Sequence, residues 1–277
     1  MKPSSNLLTI LATVLLLFTV AAQYPATSGS ELQLGVEAYK DSQYEEAIQH
    51  FEKAVELDGS NLKARLYLAT ACVSQYIPGV DTPDNLKVAE KAIDQYQHVL
   101  NASDDRNSRI NAAKGIAYLY LNTKRFDDAK KSYQIAIDLD PDDSESRYSI
   151  GVIDWTKCYA PRMETRAKLD MRPEEHLNPE NEAQKKACDE LRAKNKAAIE
   201  EGIASLTKAI ELRPDYDDAM AYMNLMYREK ADVECEDLAA RDEDLQTADQ
   251  WVDKIMAVKK AKAERQQPIN PQRDQQQ

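Results

Sequence analysis

The sequence predicts an all-α protein built from repeated helical hairpins. Its 277 residues include only seven Gly and three Phe, and the abundance of Ala, Glu, Lys, Asp and Leu is typical of helical proteins. No segment alternates apolar and polar residues with the period of two expected of a β-strand. Two blocks, residues 34–58 and 126–141, instead share one pattern of small and large apolar residues. The composition and the repetition together favour packed pairs of helices.

The repeated pattern places small residues where two helices approach each other and large residues beside them. In the two clearest copies these positions hold Gly35, Ala47, Phe51 and Ala54, and Ala117, Ala129, Tyr133 and Ala136. A third copy ends in the run from Leu206 to Pro214. This pattern resembles the tetratricopeptide repeat (TPR), a helix–turn–helix unit of about 34 residues.

The resemblance implies a right-handed α-solenoid of about five repeats with a concave binding surface. Residues 23–260 are predicted to form the solenoid, with repeats at about 28–61, 62–106, 110–143, 144–216 and 217–260. In each repeat we call the first helix helix A and the second helix B.

Three repeats carry extra residues between helix A and helix B. These inserts lie near 77–83, 156–200 and 231–245, in the second, fourth and fifth repeats. In a solenoid this loop always emerges on the same edge. We therefore expect one plain edge and one decorated edge. The helix-forming run 180–201 is expected to extend helix B of the fourth repeat.

The amino-terminal segment, residues 1–22, is predicted to be a signal peptide. Lys2 precedes a continuous apolar run from Leu7 to Val20, and small residues follow it. The run of about 14 residues is shorter than the roughly 20 that a spanning helix needs. An uncleaved anchor in the inner membrane is the alternative. A signal of this kind on a TPR chain resembles exported bacterial envelope proteins, which implies a periplasmic or secreted location.

The formal net charge of −12 limits the partners that suit this chain. An acidic protein repels phosphate backbones and anionic membranes, so we predict neither a nucleic acid nor a membrane partner apart from the signal segment. Basic or amphipathic segments of a partner protein would be attracted instead. The alternative is that the charge serves only solubility. Residues 261–277 are polar, and we expect them to be largely disordered.

The four Cys and three His form no recognisable catalytic or metal-binding motif. Cys72 is expected to be a buried apolar residue. Cys158, Cys188 and Cys235 are placed on the decorated edge, with Cys158 just past helix A of the fourth repeat. Either Cys158–Cys188 or Cys188–Cys235 could form a disulfide in an oxidising compartment. A metal or thiol site at Cys158, His176 and Cys188 is the weaker alternative, because the spacing matches no compact zinc pattern. We therefore predict a protein that is not an enzyme and needs no cofactor or metal.

The concave surface is the candidate binding site. The family presents fixed positions of helix A there, which in this chain gives Leu32, Val36, Tyr39, Leu66, Lys114, Tyr118, Tyr148, Trp155 and Arg228. Tyr and Trp are good anchors, because they bury a large area and keep a polar group available. The predicted function is a non-catalytic scaffold or assembly adaptor that holds an apolar helix or extended peptide of a partner protein. The alternative is a self-associating structural envelope protein whose groove is filled by its own insert.

Overall fold

The computed structural model describes residues 26–173 and 175–266, and within them the chain forms ten α-helices and no strand. They are α1 Ser28–Lys40, α2 Tyr44–Leu57, α3 Leu62–Gln75, α4 Pro83–Ala102, α5 Arg106–Asn122, α6 Phe126–Leu139, α7 Ser144–Lys168, α8 Glu182–Leu212, α9 Asp217–Ala231 and α10 Leu238–Gln266. Consecutive helices form five hairpins, and each hairpin packs against the next. The result is an all-α repeat solenoid, as the sequence predicts, with the A helices odd-numbered and the B helices even-numbered.

Close packing within a hairpin depends on the small residues of the repeated pattern. Gly35 of α1 lies against the ring of Phe51 in α2, and a methyl group at Gly35 would overlap that ring. Gly151 of α7 lies in the same way against Leu206 of α8. Phe51 and Leu206 are fully buried. The small-against-large pattern therefore sets the distance between the paired helices.

Polar residues determine where the helices and turns begin. The side chain of Asp143 accepts from the backbone N–H groups of the first turn of α7, and Asn181 does the same for α8. Ser42 and Lys124 follow α1 and α5 at equivalent positions, and both have a φ of 61°. The first and third repeats therefore share one turn geometry, which includes a left-handed residue that is not glycine.

The insert of the fourth repeat lengthens both of its helices. α8 begins at Glu182, and α7 continues to Lys168, well past the predicted end of helix A near residue 156. The placement of Cys158 just past helix A is therefore wrong, since Cys158 lies inside α7. Residues 162–168 are mostly good helix formers, which explains why the helix continues beyond Pro161.

The last hairpin also differs from its prediction at two points. The connection between α9 and α10 spans only residues 232–237, because the acidic residues from Leu238 onward belong to α10. At the other end, residues 261–266 are helical rather than part of a disordered tail. Lys262 Nζ holds this last turn through an ion pair with Asp217 at 2.5 Å. Residues 1–22 of the predicted signal peptide and residues 267–277 lie outside the described residues.

Within the described ranges, no helix combines the length and the apolar character that crossing a membrane requires.

Candidate peptide-binding surface

A buried cluster of charged side chains fixes the end of α7 against the end of α9. Asp232 accepts hydrogen bonds from Arg162 Nη1 at 2.9 Å and from Arg166 Nη2 at 2.8 Å. His176 Nδ1 lies 3.2 Å from the same carboxylate. Arg162 Nε lies 3.1 Å from Oε1 of Glu229. Arg166 and Glu229 are each only 1% exposed, so the side chains of this cluster interact with one another rather than with water.

The two carboxylates of this cluster have pKa values shifted in opposite directions. Burial alone would raise the pKa of Asp232, but the His176 hydrogen bond and the Arg166 and Arg162 charges outweigh burial and hold that pKa below its usual range. Burial raises the pKa of Glu229 to about 7, against the opposing charge of Arg162. Asp232 is therefore the ionised partner at neutral pH, and Glu229 resists ionisation.

A disulfide joins Cys188 of α8 to Cys235 in the α9–α10 connection. This is one of the two pairings that the sequence leaves open. Arg192 Nε also donates to the backbone carbonyl of Val233 at 2.8 Å. The inserts of the fourth and fifth repeats therefore lie on the same edge of the solenoid and are bonded to each other.

Five aromatic rings form a continuous strip on α7 and at the start of α9. Neighbouring ring centroids along this strip are 5.0, 5.6, 5.5 and 4.9 Å apart, in the order Tyr216, Tyr148, Tyr222, Trp155 and Tyr159. Tyr148, Trp155 and Tyr159 are spaced by seven and then four residues, which places them on one face of α7. Contacts between tilted or edge-on rings are favourable. We call these five residues the aromatic strip.

The strip combines apolar ring area with polar groups that are buried to different degrees. The indole Nε1 of Trp155 is buried and has no hydrogen-bond partner among the described residues. A buried donor left without a partner costs about 1–3 kcal/mol. Burial raises the pKa of Tyr148 and of Tyr216, and the charge of nearby Asp218 adds to both shifts. Tyr159 at the far end is 39% exposed.

The A helices of the first two repeats present fewer free side chains. Leu32, Val36 and Leu66 are partly buried and pack against the hydrophobic cluster of α1–α7. The hydroxyl of Tyr39 lies 2.9 Å from Ser74 Oγ on α3, so it links two neighbouring A helices. These residues contribute mainly to the packing between repeats.

Comparisons with known proteins agree with this architecture. Residues 32–98 and 115–143 match two family models described as tetratricopeptide repeat. The crystal structure of MamA superposes with a TM-score of 0.54 at 15% identity, over 83% of this chain and 97% of that one. These two segments are tetratricopeptide repeats, and the rest of the solenoid shares their architecture. At such low identity the likeness to a solved structure concerns the fold alone.

This chain is also similar to two other known proteins. The structure of YrrB, described as a TPR protein with an unusual peptide-binding site, superposes with a TM-score of 0.51 at 15% identity and covers 84% of this chain and 91% of that one. The protein STIP1 homolog of Dictyostelium discoideum is 29% identical over 110 residues, or 40% of this chain. The match spans only 18% of that relative's length.

The predicted binding residues of the later repeats have different surroundings in this TPR fold. Tyr148 and Trp155 come together in the aromatic strip. Tyr118 of α5 is 37% exposed. Lys114 Nζ pairs with Asp143 at 3.2 Å and Glu145 at 2.5 Å. Arg228 Nη2 pairs with Asp249 of α10 at 2.8 Å, so it joins α9 to α10 and is not a member of the strip.

Sequence reasoning missed three members of the aromatic strip. Tyr159 lies beyond the length of a standard helix A, and only the extension of α7 brings it into line. Tyr216 precedes α9 as its N-cap, and Tyr222 lies on α9, where the sequence analysis selects only Arg228. Trp155 and Tyr159 are four residues apart, which places them on one face of a helix. This spacing predicts a contact between the two rings only if helix A is taken to extend beyond residue 156.

The proposed metal or thiol site does not assemble. Cys188 is in the disulfide, and the buried thiol of Cys158 lies 3.8 Å from the carbonyl of Asn195. Burial raises the pKa of Cys158 to about 12. His176 contacts Asp232 instead. Across the described ranges, no three His, Cys, Asp or Glu residues are grouped so as to hold a metal ion.

Proposed function

We propose that this TPR protein is a non-catalytic scaffold or assembly adaptor. It holds an apolar helix or extended segment of a partner protein against the surface formed by its A helices. The aromatic strip is the observation that carries the proposal. Tyr216 is buried, but the rings of Tyr148, Tyr222 and Trp155 are partly exposed and Tyr159 is 39% exposed, so four adjoining rings offer contact area to a partner.

The chemistry of the cysteines supports a role without catalysis. A nucleophilic cysteine needs a lowered pKa and access to substrate. Cys188 is held in a disulfide, and the pKa of buried Cys158 is raised to about 12. Neither thiol is therefore suited to act as a nucleophile.

Export to the periplasm or beyond the cell is part of the proposal. The predicted signal peptide at residues 1–22 supports it, and so does the disulfide, because disulfides persist mainly in oxidising compartments. Retention in the inner membrane through an uncleaved signal is the alternative location. The net charge of −12, with Asp218 near the strip, favours a basic or amphipathic partner segment.

Self-association is a second candidate, supported by the outer face of α10. Val252 and Met256 are 42% and 64% exposed there. Filling of the surface by the chain's own insert has less support, because the insert bonds to residues 232–236 instead. Sedimentation across a range of concentrations distinguishes self-association from a monomeric adaptor.

The proposed function is tested by crosslinking capture from native envelope extract. We expect wild type to capture one partner protein, and Tyr118→Ala/Trp155→Ala to reduce the yield by at least about tenfold, as loss of an interface hot spot does. Ile135→Ala is the matched control, since Ile135 is equally exposed on a B helix. Undiminished capture by the double variant would move the binding surface to the decorated edge. An absence of any partner, together with concentration-dependent mass, would favour self-association.

A further inference from the structure

We propose that two copies of this chain associate through an antiparallel pairing of their α10 helices. The pairing is two-fold symmetric, and Val252 of one copy lies opposite Met256 of the other. This inference goes beyond the adaptor function, because the aromatic strip takes no part in the pairing. It gives the self-association candidate a specific surface and a specific register.

The last helix of the solenoid exposes apolar side chains. Solenoids normally end in a repeat with a polar outer face, which keeps the end of the array soluble. Val252 and Met256 of α10 are instead 42% and 64% exposed, and no other large apolar side chain of the described residues is as exposed as Met256. The two residues are four positions apart, so they adjoin on one side of the helix. They form the apolar centre of the proposed interface.

Six residues on one side of α10 make up the interface, and we call them the α10 face. Successive members are separated by four, three, four, three and four positions, which keeps them on one side of a helix. They are Leu245, Asp249, Val252, Met256, Lys259 and Ala263. The first is partly buried and the other five are exposed. At about 1.5 Å per residue, the α10 face is about 27 Å long.

The α10 face is complementary to a second copy of itself that runs antiparallel. Its spacing is the same in both directions, so a two-fold axis places every member opposite another member. The pairs, each formed twice, are Val252 with Met256, Leu245 with Ala263, and Asp249 with Lys259. Apolar residues therefore meet apolar residues, and the charged pairs have opposite signs. A parallel arrangement would place each charged residue against its own copy.

The charged members of the face are available for these pairs. Lys259 is exposed and forms no ion pair within the part of the chain that the structure describes. Asp249 pairs with Arg228 through Oδ1 alone, and its side chain remains 72% exposed.

The charge distribution along the whole of α10 favours the same orientation. Residues 242–253 contain five acidic and no basic residues, whereas residues 254–265 contain five basic residues and one acidic residue. An antiparallel copy aligns the acidic half of each helix with the basic half of the other. This local attraction opposes the general repulsion between two chains that each carry a net charge of −12.

The size of the interface indicates a weak dimer. Stable interfaces bury at least about 1,200 Å² in total, and a single pair of helices about 27 Å long is at or below that limit. We therefore expect a dissociation constant of roughly 10–100 μM.

Charge reversal tests the pairing. Sedimentation equilibrium compares wild type, Asp249→Lys, Lys259→Asp and an equal mixture of these two variants. Each variant alone places like charges against each other at both symmetric positions, so its dimer should dissociate at least about tenfold more readily than wild type. In the mixture, a dimer with one copy of each variant has opposite charges at both positions, so the dimer should form again. A folding defect in either variant would not be repaired by mixing.

Lys254→Asp is the matched control. Lys254 lies on the other side of α10, with its ammonium group 3.8 Å from the centroid of the Trp251 ring. This variant carries the same change of net charge as Lys259→Asp and should dimerise as wild type does. Equal weakening by the two variants would mean that net charge alone controls association, and it would overturn the proposed register.

The remaining outcomes separate this inference from the proposed function. A wild-type protein that stays monomeric up to roughly 0.5 mM would overturn the inference, and so would a mixture that dimerises no better than its two components. Lys259→Asp should capture a partner protein as well as wild type does, because Tyr118 and Trp155 lie on other helices. Failure of the dimer therefore leaves the adaptor function standing, and failure of capture leaves the dimer standing.

Discussion

Helices α1–α6 and helices α7–α10 are held together by different interactions. In the first region the helices are 13–20 residues long, and their contacts are dominated by Ala, Leu, Ile and ring side chains. In the second region α7, α8 and α10 are 25, 31 and 29 residues long. Among the described residues, eight of the ten buried polar or charged side chains belong to this second region.

Part of the difference follows from helix length. A helix of standard repeat length is covered by its neighbours along its whole length, so complementary apolar side chains suffice. The extended ends of α7 and α8 reach past the neighbouring repeat. Arg162, Arg166 and Asp232, together with the disulfide, hold these ends in place. The same extension carries Tyr159, so the decorated edge supports the far end of the aromatic strip.

The largest effect is expected from removing Asp232. Asp232→Ala leaves the buried guanidinium of Arg166 without its carboxylate, and breaking a buried ion pair on one side costs about 3–5 kcal/mol. Urea denaturation followed by hydrogen exchange should show the loss in α7–α10, with α1–α6 much less affected.

Asp84→Ala is the control for this prediction. Asp84 also forms an ion pair, but its side chain is 94% exposed, and such pairs contribute little. Equal destabilisation by the two variants would contradict the distinction between the regions.

Reduction of the disulfide should have the next largest effect. Cys188 and Cys235 are 47 positions apart, and closing such a loop stabilises the folded state by about 2–4 kcal/mol. Cys188→Ser/Cys235→Ser should therefore lower the urea midpoint of α7–α10, and a reducing agent should have no further effect on it. Cys158→Ala serves as the comparison for loss of a buried Cys outside the disulfide. A midpoint lowered equally in α1–α6 would show that the two regions unfold as one unit.

The two regions also differ in how far the sequence predicts them. The hairpins of α1–α6 follow from local patterns, since Gly35, Ala47 and Phe51 recur at repeat spacing and are buried as that pattern requires. The pairing of Arg166 with Asp232 joins residues 66 positions apart, and such a contact leaves no periodic trace. The aromatic strip is predictable only in part. Its members on α7 are regularly spaced in the sequence, but Tyr216 and Tyr222 become their neighbours only through the packing of two repeats.

A smaller effect is expected from filling the close contact in the first region. Gly35→Ala places a methyl group against the ring of buried Phe51, and overpacking of this kind costs about 1–3 kcal/mol. Gly29→Ala is the control on the same helix, because Gly29 has only Thr27 Oγ1 nearby, at 4.0 Å. Thermal denaturation should show a loss for Gly35→Ala, and no loss for Gly29→Ala, since Ala favours the helix. Two equally stable variants would mean that the paired helices can separate without penalty.

The smallest expected effect is a pH dependence confined to the second region. The pKa of Glu229 is raised to about 7 by burial, above the value of about 4.3 in an unfolded chain. A carboxyl with a raised folded-state pKa contributes stability that is fully present below the unfolded value and is lost as the pH rises through the folded value. The Gln side chain of Glu229→Gln cannot ionise, so from pH 5 to 8 this variant should gain about 1–2 kcal/mol of folding stability relative to wild type.

His176 and Asp232 are present in both proteins, so the effect of their titration on stability largely cancels in the comparison. The pKa of Asp232 is lowered in the fold, so the stability that its ionisation contributes is lost only in more acidic solutions, below about pH 4. A difference between the two proteins that stays constant from pH 5 to 8 would show that Glu229 is fully ionised throughout that range, with Arg162 outweighing its burial.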